Sequence, residues 1–167
     1  MKTQSQNTAE LSRLCELIKD CNVAMLTTHD GSDMLVSRPM SPQEMDSDGA
    51  LWFFTDRHSQ KVDQLRNVNL AFSDEDRSSY VSVSGTAHLV DDPDRVKRLW
   101  SAYAKPWFPE GPESPNLTLL KVVPNTAEYW DAPHNKMVRM VAFAASIISG
   151  KPVGMGENET LTGLSSN

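Results

Sequence analysis

Apolar runs long enough to cross a bilayer are missing from this sequence, which nowhere approaches the ~18–20 consecutive apolar positions that a spanning helix needs. The polar start MKTQSQNTAE lacks the apolar core of a secretory leader, so no membrane role and a cytoplasmic location are expected. Positive charge is also scarce. The 16 Lys and Arg are outnumbered by 22 Asp and Glu, for a formal net charge of -6. A surface that tracks nucleic acid or an anionic membrane demands a dense basic stripe, so neither partner is expected, and any anionic ligand must be met by a local cluster. Cys15 and Cys21 are the only cysteines. They are too few for an extracellular disulfide framework and wrongly spaced for a clustered metal site, so both are read as reduced thiols. The four histidines, His29, His58, His88 and His134, fall in separate segments without metal-ligand spacing, and no metal is expected. G-x-S-x-G, G-x-G-x-x-G and G-x-x-x-x-G-K-[ST] do not occur, which removes the nucleophile elbow, the dinucleotide fingerprint and the P-loop.

What is present is a chain of 167 residues with 39% hydrophobic content, the length of one ordinary domain. The expected organisation is a flexible start over 1–9, one domain over 10–150, and a loose, polar, Gly-rich tail over 151–167. Leu11, Leu14, Leu17 and Ile18 at helical spacing predict an amphipathic helix over 10–20. VAMLTT and MLVSRPMS flank an Asp30-Gly31 turn and read as a hairpin. After the expected turn PQEMDSDG, ALWFFT (50–55) predicts a third strand, SQKVDQLRN (59–67) a short helix, and VNLAFSD (68–74) and YVSVSGTAHLV (80–90) two more strands. Gly85 marks a bend or bulge in the last of these. Asp92, Pro93 and Asp94 start a helix over 91–104 that turns Val96, Leu99, Trp100 and Tyr103 inward. A proline-rich loop follows, then strands at 117–123 and 126–132 joined at Pro124-Asn125, a helix from Lys136 to Ile148, and the tail.

Parallel strands would each need a crossover helix, and several neighbours here are joined by connections too short for one. The fold class expected is therefore mostly β with peripheral helices: a small antiparallel barrel of six to seven strands.

Two places have the residue types to hold an anion. In WFFTDRHSQKVDQL (52–65) a strand runs into a helix that begins near Ser59, where unpaired N–H groups and the helix dipole favour a phosphate. The Ser59 hydroxyl and the Lys61 ammonium add donors and charge. Ser59 as a plain N-cap, with Lys61 solvated, explains the same local pattern. The second place is Arg38, on one strand face with Met34 and Val36, where an arginine needs an anionic partner; a salt bridge to an acidic side chain accounts for it equally well.

Four segments in order, S-R-P-M (37–40), W-F-F-T-D-R-H-S-Q-K (52–61), Y-V-S-V-S-G-T-A (80–87) and A-E-Y-W-D (127–131), make the chain resemble the flavin-binding split-barrel superfamily of pyridoxamine 5'-phosphate oxidase, closest to its bacterial general stress protein branch. The resemblance covers roughly residues 10 to 150 and implies a split β-barrel that binds FMN, or FAD, at the interface of a homodimer. It implies that Arg38, Pro39 and Met40 line the flavin, that Phe54 and Thr55 face it, and that Ser59 and Lys61 hold its phosphate. It also implies that Tyr80 and Trp130 approach it from the other subunit. Trp52, Trp107 and Trp130 are more aromatic surface than a small barrel is expected to bury, which agrees with a dimer.

Departures from the oxidase pattern carry information as well. Gln60 stands where the phosphate clamp has an arginine, which removes a bidentate donor pair and about 1–3 kcal/mol of phosphate affinity. Lys136 and Val138 stand where the oxidases place an Arg-x-His that grips the pyridoxamine phosphate, and valine neither donates nor pairs. The expectation is a flavin-binding general stress protein with a redox or flavin-handling role and no pyridoxamine phosphate oxidase activity. The alternative is an NAD(P)H-dependent flavin oxidoreductase acting on a small acceptor. A barrel kept for haem or for a protein partner is a third reading. No catalytic residue is assigned.

Overall fold

Strict alternation of apolar and polar residues builds most of the molecule, because each strand buries every second side chain. The computed structural model describes residues 1–30, 34–59, 65–131, 146–147, 149, 151 and 157–165. In chain order its elements are β1 (Lys2–Thr3), α1 (Ala9–Ile18), β2 (Ala24–His29), β3 (Leu35–Met40), β4 (Pro42–Met45), β5 (Leu51–Asp56), β6 (Asn67–Asp74), β7 (Ser79–Val90), α2 (Pro93–Leu99), a 3-10 turn at Ala102–Ala104, β8 (Leu117–Asp131) and β9 (Glu157–Thr162). The strands form a single nine-stranded sheet in the order β1-β4-β5-β8-β7-β6-β2-β3, with β9 also on β8. Every pairing is antiparallel except β1 with β4.

The sheet curls into a split barrel, and the ends of the strand order explain the split. Only Ser41 separates β3, at one end of the order, from β4, near the other, so the covalent chain itself carries the sheet round. The mostly-β fold with peripheral helices is as expected, with nine strands in place of six or seven.

Inside the curl lies the main core. Leu26, Leu70, Val83 and Ala127 follow one another across β2, β6, β7 and β8, all essentially fully buried. Helix α1, capped by Thr8 accepting from Leu11 N, adds Leu11, Leu14, Leu17 and Ile18 to the same cluster. A second, smaller cluster sits on the other side of β5 and β8. There Trp52, Phe54, Leu117 and Leu119 meet Val96 and Leu99 of α2 and Ala104 of the 3-10 turn.

Gly85 is needed where β7 shifts register against β8: a Cβ there would lie 2.3 Å from the Val123 carbonyl oxygen. This bulge lets β8 run unbroken through Pro124-Asn125, so the two strands expected at 117–123 and 126–132 are one.

Several other expectations are corrected. The turn expected at PQEMDSDG begins with strand β4, because β5 offers it a ladder. The helix expected over 91–104 ends at Leu99, and Tyr103 is 89% exposed rather than inward, because Trp100 leaves helical geometry. Trp52 is buried, with its indole stacked under Arg95 at 3.7 Å. The 1–9 segment expected to be flexible carries β1, held by Gln4 N donating to Met45 O. In place of a uniformly loose tail, β9 pairs with β8 over 157–162 and Leu164 enters the main core. The middle of the helix expected at 59–67 and most of the one expected at 136–148 lie outside the described residues, whereas Asn67 opens β6.

A network of charges closes the β4 end. The Glu44 carboxylate is buried and accepts from Arg98 Nη1 (2.6 Å), Arg98 Nη2 (3.1 Å) and Gln4 Nε2 (3.0 Å). Asp46 accepts from Trp52 Nε1 (2.7 Å) and from the backbone of Ala50 (3.0 Å), and Arg95 lies 3.8 Å from both carboxylates.

Candidate functional site

Two strand edges are left open by the sheet order. β3 pairs with β2 alone, and β5 beyond Phe53 pairs with β8 alone among the described residues. Because β3 leads directly into β4, which pairs with β5, these two edges border the same opening of the barrel. Met40 aside, the outward-directed backbone N–H and C=O groups along them have no ladder partner among the described residues, and such groups seek one.

Side chains at this opening repeat the pattern. Thr55 Oγ1 and Ser59 Oγ are buried oxygens without a hydrogen-bond partner among the described residues. A buried hydroxyl left unpaired costs roughly 1–3 kcal/mol, so two near one opening mark a place where an absent polar ligand recovers that cost. The turn that presents Ser59 is itself ordered: His58 N donates to Asp56 Oδ1 (2.7 Å), Ser59 N to Asp56 O (3.2 Å) and Arg57 N to Asn116 O (2.8 Å).

On the facing strand, Arg38 donates through Nη1 to Thr28 Oγ1 at 3.1 Å. Register places Arg38 opposite Leu26, so it shares the inner face at the barrel mouth, as alternation predicts. No salt bridge to a carboxylate occupies it among the described residues, unlike Arg98, Arg95, Arg57 and Arg13. Met40 is buried in the main core and Pro39 is exposed.

Phe54 and Thr55 separate. Adjacent strand residues point to opposite faces, and Phe54 turns to the second cluster, 6.0 Å from the Trp100 ring, so only its backbone borders the opening. Lys61 and Gln60 lie outside the described residues, as do Lys136, Val138 and His134.

Tyr80 and Trp130 are brought together. They are register partners across β7 and β8, 47% and 41% exposed, on the outward face of the sheet. The same outward face carries Met25, also exposed, on β2. Beside them runs a polar row: Thr27 and Ser37 share a 2.8 Å hydrogen bond, and Asn69 Nδ2 donates to Ser82 Oγ (2.8 Å) and Ser84 Oγ (3.3 Å). Sequence reasoning missed Thr28 as the partner of Arg38 and missed this row. Its signal was the Ser82, Ser84 alternation of β7, legible only once the register with Asn69 was known.

A second cleft, of about 260 Å³, opens on the other side of the 56–59 turn, between α2 and the proline-rich loop. Among the described residues no group of acidic, His and Cys side chains is arranged to hold a metal, and no helix is long and apolar enough to cross a membrane.

Comparison with known proteins agrees with the fold. The family model described as pyridoxamine 5'-phosphate oxidase like matches residues 9–153. This chain belongs to that family. The chain is 30% identical over 156 residues to the protein bli-3 of Neurospora crassa, spanning 86% of this chain and 75% of the relative. Among solved structures, one from Jannaschia sp. CCS1, assigned provisionally as a general stress protein 26, superposes with a TM-score of 0.75 at 25% identity, covering 93% of this chain and 99% of that one. The general stress FMN/FAD binding protein of Xanthomonas citri is 32% identical, with a TM-score of 0.63 over 74% of this chain and 90% of its own. A haem binding protein from Mycobacterium smegmatis, at 12% identity and a TM-score of 0.61, shares the fold alone.

Proposed function

We propose that this chain binds a flavin mononucleotide in the split between β3 and β5, as a homodimer, and acts as a flavin-binding general stress protein of the cytoplasm. The observation that carries this reading is the pair of buried hydroxyls, Thr55 Oγ1 and Ser59 Oγ, that have no partner among the described residues, beside the outer edges of β3 and β5. A flat ring system rich in carbonyl and N–H groups along one side, with a phosphate at its far end, suits both the strand edges and the hydroxyls. The description of the Xanthomonas citri relative as an FMN/FAD binding protein supports the same ligand class.

Each residue has a distinct part. The open edges of β3, around Arg38, Pro39 and Met40, and of β5, at Phe54 and Thr55, fix the ring through backbone groups, and the Thr55 hydroxyl adds a directional contact. Ser59 and Lys61 hold the phosphate, with Arg38 supplying a cation that no carboxylate neutralises among the described residues. Tyr80 and Trp130 are offered to the partner's ring: both are exposed, adjacent and aromatic, the residue type that closes interfaces over flat ligands. When bound, flavin supplies hydride and electron transfer, and the protein sets its position and surroundings. Val138 in place of a phosphate-gripping histidine leaves pyridoxamine phosphate without an anchor, so oxidase activity on it is not expected.

Visible spectra and flavin-fluorescence quenching at micromolar protein test the binding. Flavin bands in the protein as purified, or quenching on addition of FMN, are expected; neither appearing would refute the proposal. Lys61→Ala is expected to weaken FMN by about tenfold while leaving riboflavin nearly unchanged, since only FMN has the phosphate. Equal losses would move the phosphate elsewhere. Whether reduced nicotinamide is the electron donor is answered by anaerobic bleaching of the bound flavin with NADH or NADPH.

A further inference from the structure

We infer that Thr28 is a positioning residue for the anion end of the opening: its hydroxyl fixes the guanidinium of Arg38 while leaving the charge whole. The inference rests on the flavin reading above.

Thr28 stands where packing alone calls for an apolar residue. Along β2 the inward positions are Ala24, Leu26 and Thr28, none more than 1% exposed. Valine has nearly the same shape and suits a strand as well, so what threonine adds there is the hydroxyl. Register explains its use. Arg38 lies directly across from Leu26, and Thr28 is the diagonal neighbour two residues along the same face. A diagonal gap of roughly 7–8 Å is within reach of a long side chain. Arg38 Nη1 spans it and donates to Thr28 Oγ1 at 3.1 Å.

Other arginines here are anchored by carboxylates. Arg98 lies against Glu44, Arg57 against Asp91, Arg13 against Asp131, Arg77 against Asp20, and Arg95 near both Glu44 and Asp46. A carboxylate at position 28 would hold Arg38 as firmly and cancel its charge. The hydroxyl holds it without cancelling. It takes one of the five N–H donors of a guanidinium, so a fork of N–H groups remains for a phosphate. Arginine also has much rotamer freedom to lose. With Thr28 as anchor, part of that freedom is lost on folding rather than on binding, which favours capture of the anion.

Titration of the full chain with FMN and with riboflavin, followed by flavin fluorescence, tests the inference, because only FMN has the phosphate. Thr28→Val is expected to weaken FMN about tenfold while riboflavin stays within about twofold. Thr28→Ser, which keeps the hydroxyl, is expected to retain FMN binding within about twofold of the unaltered chain. In an Arg38→Met background, Thr28→Val should have no further effect on the FMN-to-riboflavin ratio, since the two residues act as one unit. Thr28→Ala gives the same readout should the valine variant not fold. Four results overturn the positioning role and leave the flavin reading standing: equal losses of both ligands, an unchanged ratio in Thr28→Val, a serine variant as weak as the valine one, or the same fall in ratio with Arg38 removed. Binding of neither ligand by the unaltered chain overturns the flavin reading and this inference with it.

Discussion

The two ends of β5 solve the same problem in opposite ways. Around Trp52, buried charge is closed on itself: Glu44 has Arg98 and Gln4, Asp46 has Trp52 and backbone N–H groups, and Arg95 lies over the indole ring. Around Thr55, three residues along, buried hydroxyls and strand edges are left open. The charges near Trp52 are paired within the fold, whereas the Thr55 and Ser59 hydroxyls have no partner among the described residues. Gln6 Oε1, Ser79 Oγ and Asp131 Oδ1 are buried without a partner there as well, so it is the combination with the strand edges, and not the hydroxyls alone, that distinguishes the Thr55 end.

Breaking the closed end should cost stability and spare binding. Arg98→Ala leaves the Glu44 carboxylate buried without its main partner and is expected to lower unfolding free energy by about 3 kcal/mol, read from urea melts, with flavin affinity unchanged. The same carboxylate sets a pH limit. Burial alone raises its pKa, but hydrogen bonds from Arg98 and Gln4 and the charges of Arg98 and Arg95 outweigh this and hold it below the usual glutamate range. A depressed folded value means that the contribution is fully present above about pH 4.3 and is lost as pH falls through the folded value. Urea midpoints are therefore expected to fall on acidification below that point, and Glu44→Gln to flatten the fall.

A smaller loss belongs to Trp52→Phe, which keeps the ring but leaves Asp46 Oδ2 without the indole donor; about 1–2 kcal/mol is expected in the same melts. The smallest effect is the most discriminating. Thr55→Val removes a buried hydroxyl that has no partner among the described residues, so the ligand-free protein should keep its stability or gain up to about 1 kcal/mol, while flavin affinity falls. A stability loss of the Trp52 size would instead place Thr55 among the closed groups.

Much of this layout was legible in the sequence. Alternation located β2, β5, β6 and β7 to within a residue or so, and α1 followed from Leu11, Leu14, Leu17 and Ile18. Arg38 and Ser59 read as anion-friendly; the fold puts Arg38 on the inner face of β3 and Ser59 in the turn after β5. What escaped was set by partners distant in sequence. β4 is a strand only because β5 lies beside it, and β1 only because β4 does. The sequence around β9 is polar enough to read as loose until β8 supplies the ladder and the core receives Leu164. Trp52 was counted among surface aromatics because its burial depends on Arg95 from α2 and Asp46 from the turn before β5. The resemblance sets Phe54 and Thr55 on the flavin together, although neighbours on a strand point to opposite faces and the Phe54 ring lies in the second cluster.

The open edge of β3 has one more consequence. A row of unsatisfied amides is a template on which another molecule's strand can grow, the first step of edge-to-edge association. Pro39, which brings no N–H, stands near the end of that edge next to the long cationic side chain of Arg38, and both features discourage strand addition. The residues that frame the opening therefore also guard the edge against misassembly. Filling the opening should slow aggregation on storage.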